Sequence, residues 1–177
     1  MSLTANELRD RFGFLRAGEP DLLMQLARRL PEYPVIVNIG AGAGTSALAF
    51  LEARLDARVI TVDVQEAGVG SLEGEENALR EAGCWDDPRY AQVLGDSAQA
   101  GASWKEPVDM VFVDGDHSYS SVVRDIDAWL PHIKPGGIIA FHDSAEGWEG
   151  VIAAIRDNRN RFGEEIARFE LVTAFQV

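Results

Sequence analysis

The chain has 177 residues, 46% of them hydrophobic, and its 16 basic and 29 acidic residues give a formal net charge of −13. This length suits one domain that buries most of its surface, and we expect a single domain over residues 1–177. So negative a chain repels phosphate backbones and anionic lipid, because binding to them depends on Lys and Arg. We therefore expect neither a nucleic acid nor a membrane as a partner.

Other features of the sequence favour the cytoplasm. No stretch approaches the roughly 20 apolar residues that a membrane-spanning helix needs, and the first residues lack the basic-then-apolar pattern of a secretory signal. The single cysteine, Cys84, has no partner for an internal disulfide, which fits a reducing compartment. A cytoplasmic protein is the expectation.

Two helices are predicted before the first strand. Residues 4–7 have the spacing of a helix capping box. A second helix starts near Pro20 and ends at Pro31. Residues 1–33 are therefore expected to form N-terminal helices, and residues 34–177 a Rossmann-like core.

The core alternates between strands and helices. Short β-branched runs predict five strands and a last extended segment, at residues 35–39, 58–62, 90–94, 110–113, 138–141 and 169–177. Apolar residues at helical spacing predict helices at 44–55, 73–82, from 97, at 119–133 and at 151–161. The fourth of these should stop at the breaker cluster 134–137, and the Gly/Glu-rich segment 67–76 should be a surface loop. This alternation predicts an α/β fold with a doubly wound, mostly parallel sheet covered by helices on both faces.

A glycine-rich loop, Gly40-Ala41-Gly42-Ala43-Gly44, joins the first strand to its helix. Glycine lets the backbone approach a ligand closely, and the helix N-terminus offers N–H groups to an anionic group. Asp63 ends the second strand, where nucleotide-binding folds hold ribose hydroxyls. The loop spacing disfavours a nicotinamide cofactor and thus an NAD-dependent oxidoreductase, because Thr45 stands where the dinucleotide fingerprint has a third glycine. A tight turn without any ligand is the other reading of the loop.

Residues 37–46 resemble motif I of class I S-adenosylmethionine (SAM) dependent methyltransferases. The resemblance implies that SAM is the cofactor, that Asp63 binds its ribose and that Asp96 and Ser97 contact its adenine. Asn38 stands where these enzymes usually carry an acid, so it can form a hydrogen bond but no ion pair with the SAM ammonium. The cofactor-binding residues implied are Asn38, Gly40, Ala41, Gly42, Gly44, Ser46, Asp63, Val64, Asp96, Ser97 and Asp114.

Polar residues also follow the fourth and fifth strands, at residues 114–119 and 142–144. If these strands are neighbours, about 4.8 Å apart, Asp114 and Asp143 converge. Two carboxylates brought together repel unless a cation joins them, and oxygen ligands favour Mg²⁺ or Mn²⁺. The residues alone equally allow Asp114 to contact the SAM methionine end or to cap the next helix, with His142 as a structural histidine.

The same two segments are similar to methyltransferase family 24, which includes metal-dependent O-methyltransferases of small molecules and macrolide sugars. The resemblance implies a metal held by Asp114, His142 and Asp143, although His142 replaces the acid that the magnesium enzymes usually carry. It places the catalytic base at His117, three residues beyond Asp114. We therefore expect transfer of a methyl group from SAM to a small-molecule hydroxyl, with Asp114 and His117 as catalytic residues.

Two features leave alternatives open. Class I methyltransferases usually end in antiparallel sixth and seventh strands, and residues 167–177 are short for both. We therefore expect a shortened fold, or one completed by a homodimer partner. The sequence also lacks an obvious substrate lid, so a SAM-binding domain without independent catalysis is the alternative function. The methyl acceptor is not identified, because acceptor pockets are built largely from variable loops.

Overall fold

The computed structural model describes residues 3–12, 14–64 and 72–177. Its strands are β1 (Val35–Ile39), β2 (Arg58–Asp63), β3 (Tyr90–Leu94), β4 (Val108–Val113), β5 (Ile133–Phe141), β6 (Glu165–Phe169) and β7 (Val172–Gln176). Its helices are α1 (Ala5–Phe12), α2 (Glu19–Arg28), α3 (Thr45–Ala53), α4 (Leu72–Ala82), α5 (Ser97–Ser103), α6 (Tyr119–Trp129) and α7 (Glu149–Asp157). No helix in these ranges is long and apolar enough to cross a membrane.

The strands form one seven-stranded sheet in the order β3-β2-β1-β4-β5-β7-β6. The first five strands are parallel, and β7 runs antiparallel to both β5 and β6. The predicted doubly wound, mostly parallel α/β fold is therefore confirmed. The strand order reverses between β1 and β4, so the carboxyl ends of these two strands flank the crevice where such sheets bind ligands.

Hydrophobic side chains fill a layer on each face of the sheet. One layer joins the sheet to α1, α2, α3 and α4, where Phe50 and Phe112 meet edge to face with ring centroids 6.1 Å apart. The other joins it to α5, α6 and α7 around the fully buried Trp129. Side chains alternate between the faces along a strand, so Asn38 lies on the same face as Ile36, towards α3 and α4, and Val37 lies on the other.

The N-terminal helices form as the sequence predicts. The Thr4 amide donates to Glu7 Oε2 at 2.9 Å, and the Glu7 amide donates to Thr4 Oγ1 at 3.3 Å, which is a capping box. Helix α2 begins at Glu19 with Pro20 in its first turn. Both helices pack on α3.

Two boundaries differ from the prediction. The cluster 134–137, predicted to break a helix, lies inside β5, because Ile133 is buried and pairs with Val108. Between the pairs Val108–Ile133 and Met110–Ile138, β5 has more residues than β4, and a register shift accommodates them. Helix α4 begins at Leu72, within the segment expected to be a surface loop, whereas residues 67–71 of that segment lie outside the described residues.

The expectation that the C-terminal tail is too short for two strands is wrong. β6 and β7 form a hairpin whose tight turn places Glu170 at φ 51, and β7 pairs with β5 through four residues, from Phe141↔Thr173 to Ile138↔Gln176. The sheet is therefore complete within one chain. A missing strand no longer argues for a homodimer, and the oligomeric state stays a prediction.

Candidate functional site

A cleft of about 1050 Å³ opens at the carboxyl ends of the strands, where the strand order reverses. Most of the predicted site residues line it: Gly40, Gly42, Asp63, Val64, Asp96, Ser97, Asp114, His117, His142 and Asp143. Asn38, Ala41, Gly44 and Ser46 are not among the lining residues. The sheet thus brings the predicted cofactor and catalytic residues to one cavity, as expected of parallel strand ends.

The glycine loop bends sharply between β1 and α3. Gly40 has φ 94, and a Cβ there would lie 2.0 Å from the backbone oxygen of Asp114, so only glycine fits beside the end of β4. The Ala41 amide donates to Asp63 Oδ2 at 2.5 Å, which ties the loop to the end of β2. Gly44, at φ 81, then turns the chain into α3.

Asn38 supports the loop from behind and does not face the cleft. It is fully buried, and its Nδ2 donates to the Gly40 carbonyl at 2.9 Å and to Thr61 Oγ1 at 3.3 Å. A direct contact between Asn38 and a cofactor does not fit this orientation. The sequence could have predicted this orientation of Asn38. Side chains alternate along a strand, so Asn38 shares a face with Ile36 and not with Ile39.

The other end of the cleft is built from α5 and α6. Asp96 caps α5 by accepting from the Gln99 amide at 2.9 Å, and Arg124 donates to the same carboxylate at 2.9 and 3.0 Å. Ser97 Oγ donates to the carboxylate of Asp125. Burial raises the pKa of Asp125 to about 6. Asp125 also lines the cleft, although the sequence suggested no site role for it.

His142 lies in a cage of three carboxylates. Its Nε2 is 3.0 Å from Glu19 Oε2, and its Nδ1 is 3.1 Å from Asp114 Oδ1 and 3.2 Å from Asp143 Oδ2. Burial alone would lower the pKa of His142, but these carboxylates outweigh it and raise the pKa to about 12. Both ring nitrogens lie within hydrogen-bond distance of carboxylate oxygens, so His142 is engaged in this cage, and its role as a metal ligand stays a prediction.

Glu19 is the member of this cage that the sequence analysis missed. It is fully buried, and it accepts from the Arg16 amide at 2.6 Å and from the Leu171 amide at 2.8 Å besides His142. Burial would raise the pKa of Glu19, but its hydrogen bonds, chiefly from His142, lower it below its usual value. Glu19 thus joins the start of α2 and the β6–β7 turn to the catalytic end of the sheet.

The backbone of His117 is set by α6 and α7. Ser118 caps α6, with its Oγ accepting from the Ser121 amide at 3.3 Å, and Asp116 accepts from the Ser118 amide at 3.0 Å. A Cβ on Gly150 would lie 2.4 Å from the His117 carbonyl oxygen, so glycine lets α7 approach this turn. Asp116 and Ser118 are therefore turn residues that present His117 to the cleft.

The His117 side chain forms a pair with Asp143. Its Nε2 is 2.8 Å from Asp143 Oδ2, and its ring lies against Trp148 with centroids 4.4 Å apart. The hydrogen bond to Asp143 raises the pKa of His117 above its usual value, although partial burial opposes it. Hydrogen bonds from His117 and His142 outweigh burial and hold the pKa of Asp143 well below its usual range. An oriented imidazole at the wall of a cleft is suited to accepting a proton.

Asp114, His117 and Asp143 form the candidate cation cluster. Each offers one ligand atom, and these atoms all lie within 4.8 Å of one another. Two carboxylate oxygens and one imidazole nitrogen suit Mn²⁺ and also Mg²⁺. Burial raises the pKa of Asp114, and His142 opposes this shift. The cluster matches the predicted carboxylates, but its histidine is His117 and not His142.

Comparison with known proteins assigns the family. Residues 37–144 match a family model described as a methyltransferase domain. A "Putative O-methyltransferase" of Mycobacterium sp. (strain JLS) is 30% identical over 151 residues, which cover 82% of this chain and 64% of that protein. A protein of the same name from Mycobacterium avium (strain 104) is 30% identical over 76% of this chain and 59% of its own length. The chain thus spans about three fifths of the length of these relatives.

Solved structures share the fold. The O-methyltransferase TomG of Streptomyces achromogenes, in complex with SAM, has a TM-score of 0.74 at 20% identity, covering 98% of this chain and 87% of that one. An O-methyltransferase of Bacillus cereus, in complex with S-adenosylhomocysteine (SAH), has a TM-score of 0.75 at 17% identity, covering 100% and 92%. The topology is therefore that of class I SAM-dependent methyltransferases.

Proposed function

The chain belongs to the methyltransferase domain family, and on this premise we propose that it transfers a methyl group from SAM to a hydroxyl group of a small molecule. One observation carries the proposal. A single cleft holds the Gly40–Gly44 loop and Asp63 on one side and the His117–Asp143 pair on the other. A cofactor site and a general base therefore face the same space, which methyl transfer requires.

The proposed cofactor site follows the strand ends. Asp63, which orders the glycine loop through the Ala41 amide, would accept the ribose hydroxyls. Asp96, Ser97 and Asp125 would surround the adenine at the α5–α6 end of the cleft. SAM supplies an electrophilic methyl group when it is bound here.

We assign the general base to His117. Because Nε2 is held by Asp143, Nδ1 is the ring nitrogen that takes the proton of the acceptor hydroxyl. A bound SAM would supply its methyl group to the deprotonated oxygen and would leave as SAH. Asp143 orients the ring and stabilises the imidazolium that forms, as a carboxylate does in other base–carboxylate pairs.

The proposed acceptor site lies beside His117. The Trp148 ring lies against the His117 ring at an interplanar angle of 59°, and Phe14, Arg16 and Leu171 line the same cleft. Phe14 exposes 48% of its surface, so an aromatic face is available to a bound molecule. These groups fit a small molecule with an apolar or ring-shaped body, and they leave the hydroxyl within reach of the base.

A divalent cation would be held by Asp114, His117 and Asp143, whose ligand atoms lie close enough to share one ion. When bound, it would supply Lewis-acid chemistry that lowers the pKa of the acceptor hydroxyl. Asp114, at the end of β4, would then serve the reaction as a ligand. We keep His117 as the base, and calorimetric titration of Mn²⁺ into wild type and His117→Ala tests this, because loss of Mn²⁺ binding in the variant would make His117 a ligand instead.

The proposal is tested by binding and by turnover. Calorimetric titration with SAM, SAH and NADH should show binding of the first two only; binding of NADH alone would favour an oxidoreductase. Methyl transfer from labelled SAM to a panel of phenols, catechols and sugars, with and without EDTA, then separates an enzyme from a binding domain. SAM binding without transfer to any acceptor would favour the binding domain. The cytoplasmic location expected from Cys84 stays a prediction.

A further inference from the structure

A row of polar side chains crosses the sheet behind the glycine loop. Asn38, Thr61 and Gln92 are register partners on β1, β2 and β3. Asn38 and Thr61 are fully buried, and Asn38 donates to Thr61. Polar groups buried under a layer of helices cost free energy unless they are hydrogen-bonded. The hydroxyl of Thr61 and the side-chain amide of Gln92 therefore need an acceptor.

Glu75 of α4 provides that acceptor. Its carboxylate accepts from Thr61 Oγ1 at 2.7 Å and from Gln92 Nε2 at 3.0 Å, and the residue is fully buried. Burial raises the pKa of Glu75 to about 7, and the charge of Asp63 adds to the shift, while the hydrogen bonds from Thr61 and Gln92 oppose it. A buried carboxyl whose pKa lies near neutrality is not used by the chemistry proposed above.

Glu75 also touches the cofactor loop. A Cβ on Gly44 would lie 3.2 Å from Glu75 Cγ and 3.4 Å from its Cα, so the end of the loop rests directly on this residue. The start of the loop is tied to the same row, because Asn38 donates to the Gly40 carbonyl. The Gly40–Gly44 loop is therefore held at both ends by a hydrogen-bonded row that ends at Glu75.

We propose that Glu75 is a positioning residue for the cofactor, and that its ionisation is coupled to the binding of a cationic cofactor in the cleft. This inference rests on the proposed function, in which SAM is that cation. Asn38 carries no charge at the position where the resemblance expects an acid, so the buried negative charge behind the loop is supplied from α4. A sulfonium in the cleft favours the carboxylate over the carboxylic acid, and by reciprocity the carboxylate favours SAM.

The groups that face Glu75 define its pH response. Asp63 on β2 carries the neighbouring charge, and Tyr90 on β3 is a phenol whose pKa is raised by burial and by Glu75 itself. Thr61, Gln92 and Gly44 do not titrate. With a pKa near 7, Glu75 is ionised in roughly one molecule in eleven at pH 6. SAM is therefore expected to bind more weakly at pH 6 than at pH 8, by about tenfold if only the ionised form binds it.

The test compares Glu75→Gln with Glu76→Gln, which removes a charge from the same helix at a half-exposed residue paired with Arg80. The dissociation constant of SAM is measured by calorimetry at pH 6, 7 and 8. Glu75→Gln should bind SAM weakly at pH 8 and lose most of the pH dependence, whereas Glu76→Gln should follow wild type. SAH, which lacks the sulfonium charge, should show a smaller pH dependence than SAM. An unchanged pH dependence in Glu75→Gln would overturn the inference.

A second measurement needs no variant. The ¹³C chemical shift of the Glu75 carboxyl in the wild-type chain reports its pKa with and without saturating SAM. The pKa should fall when SAM is added, and a pKa that does not move would overturn the coupling. Absence of SAM binding at every pH would instead overturn the proposed function, and the coupling with it.

Discussion

The burial of Glu75 predicts a pH dependence of stability that one substitution removes. The folded pKa is about 7 against a usual value of 4.5, so the native state binds the proton more tightly than the unfolded chain. Stability due to this group is therefore highest below about pH 4.5 and is lost as the pH rises to about 7. The folded and unfolded pKa values differ by about 2.5, and at 1.36 kcal/mol per pKa unit this corresponds to roughly 3 kcal/mol for a fully buried group.

Glu75→Gln keeps the shape of the side chain and cannot ionise. The variant should match wild type at pH 4 and exceed it by up to about 3 kcal/mol at pH 8, in free energies of unfolding from urea titrations without cofactor. Glu76→Gln, on the same helix, should change neither value by more than a few tenths of a kcal/mol, as is usual for a surface site. Equal stabilities of Glu75→Gln and wild type at both pH values would refute the reasoning. At pH 8, Glu75→Gln should therefore be more stable than wild type and should bind SAM less tightly.

Three further substitutions test the rest of the site. Asp143→Asn removes the charge that raises the pKa of His117, so the acidic limb of the pH–rate profile, along which His117 loses its proton, should move to lower pH and the rate should fall by about 10²-fold or more; an unmoved limb would exclude the pair. Gly40→Ala places a Cβ 2.0 Å from a backbone oxygen and should abolish SAM binding, as measured by calorimetric titration. Gly83→Ala is also at positive φ but has open space around it, and it should still bind SAM. His142→Leu leaves Glu19, Asp114 and Asp143 without their cation and should lower the unfolding free energy by about 3–5 kcal/mol in urea titrations, and a neutral result would contradict the cage.

The parallel half of the sheet and the contents of the cleft could be predicted from the sequence. β1 and β4 are short, mostly apolar runs with buried interiors; Gly40 follows the end of β1, and Asp114 follows the end of β4. Parallel strands end at the same edge of the sheet. Once the alternation of strands and helices is recognised, convergence at that edge can be predicted for Gly40, Asp63, Asp114 and Asp143.

The rest depends on contacts between distant segments. Glu19 and His142 are 123 residues apart in the chain, and no local pattern relates a helix start to a strand end. β6 is an edge strand with exposed Glu165 and Arg168, so it lacks the hydrophobic alternation that marks a strand. Glu75 stands among glycines and acids that are typical of a surface loop, and only the packing of α4 on β2 buries it.

The most direct test of the account is single-turnover methyl transfer from labelled SAM to an acceptor found in the screen, by wild type and by His117→Ala. His132→Ala, whose imidazole bonds the Gly101 carbonyl away from the cleft, serves as the control. The account predicts that His117→Ala still binds SAM but that its rate of methyl transfer falls by a factor of about 10² or more. His132→Ala should keep the wild-type rate. Wild-type rates in His117→Ala would contradict it.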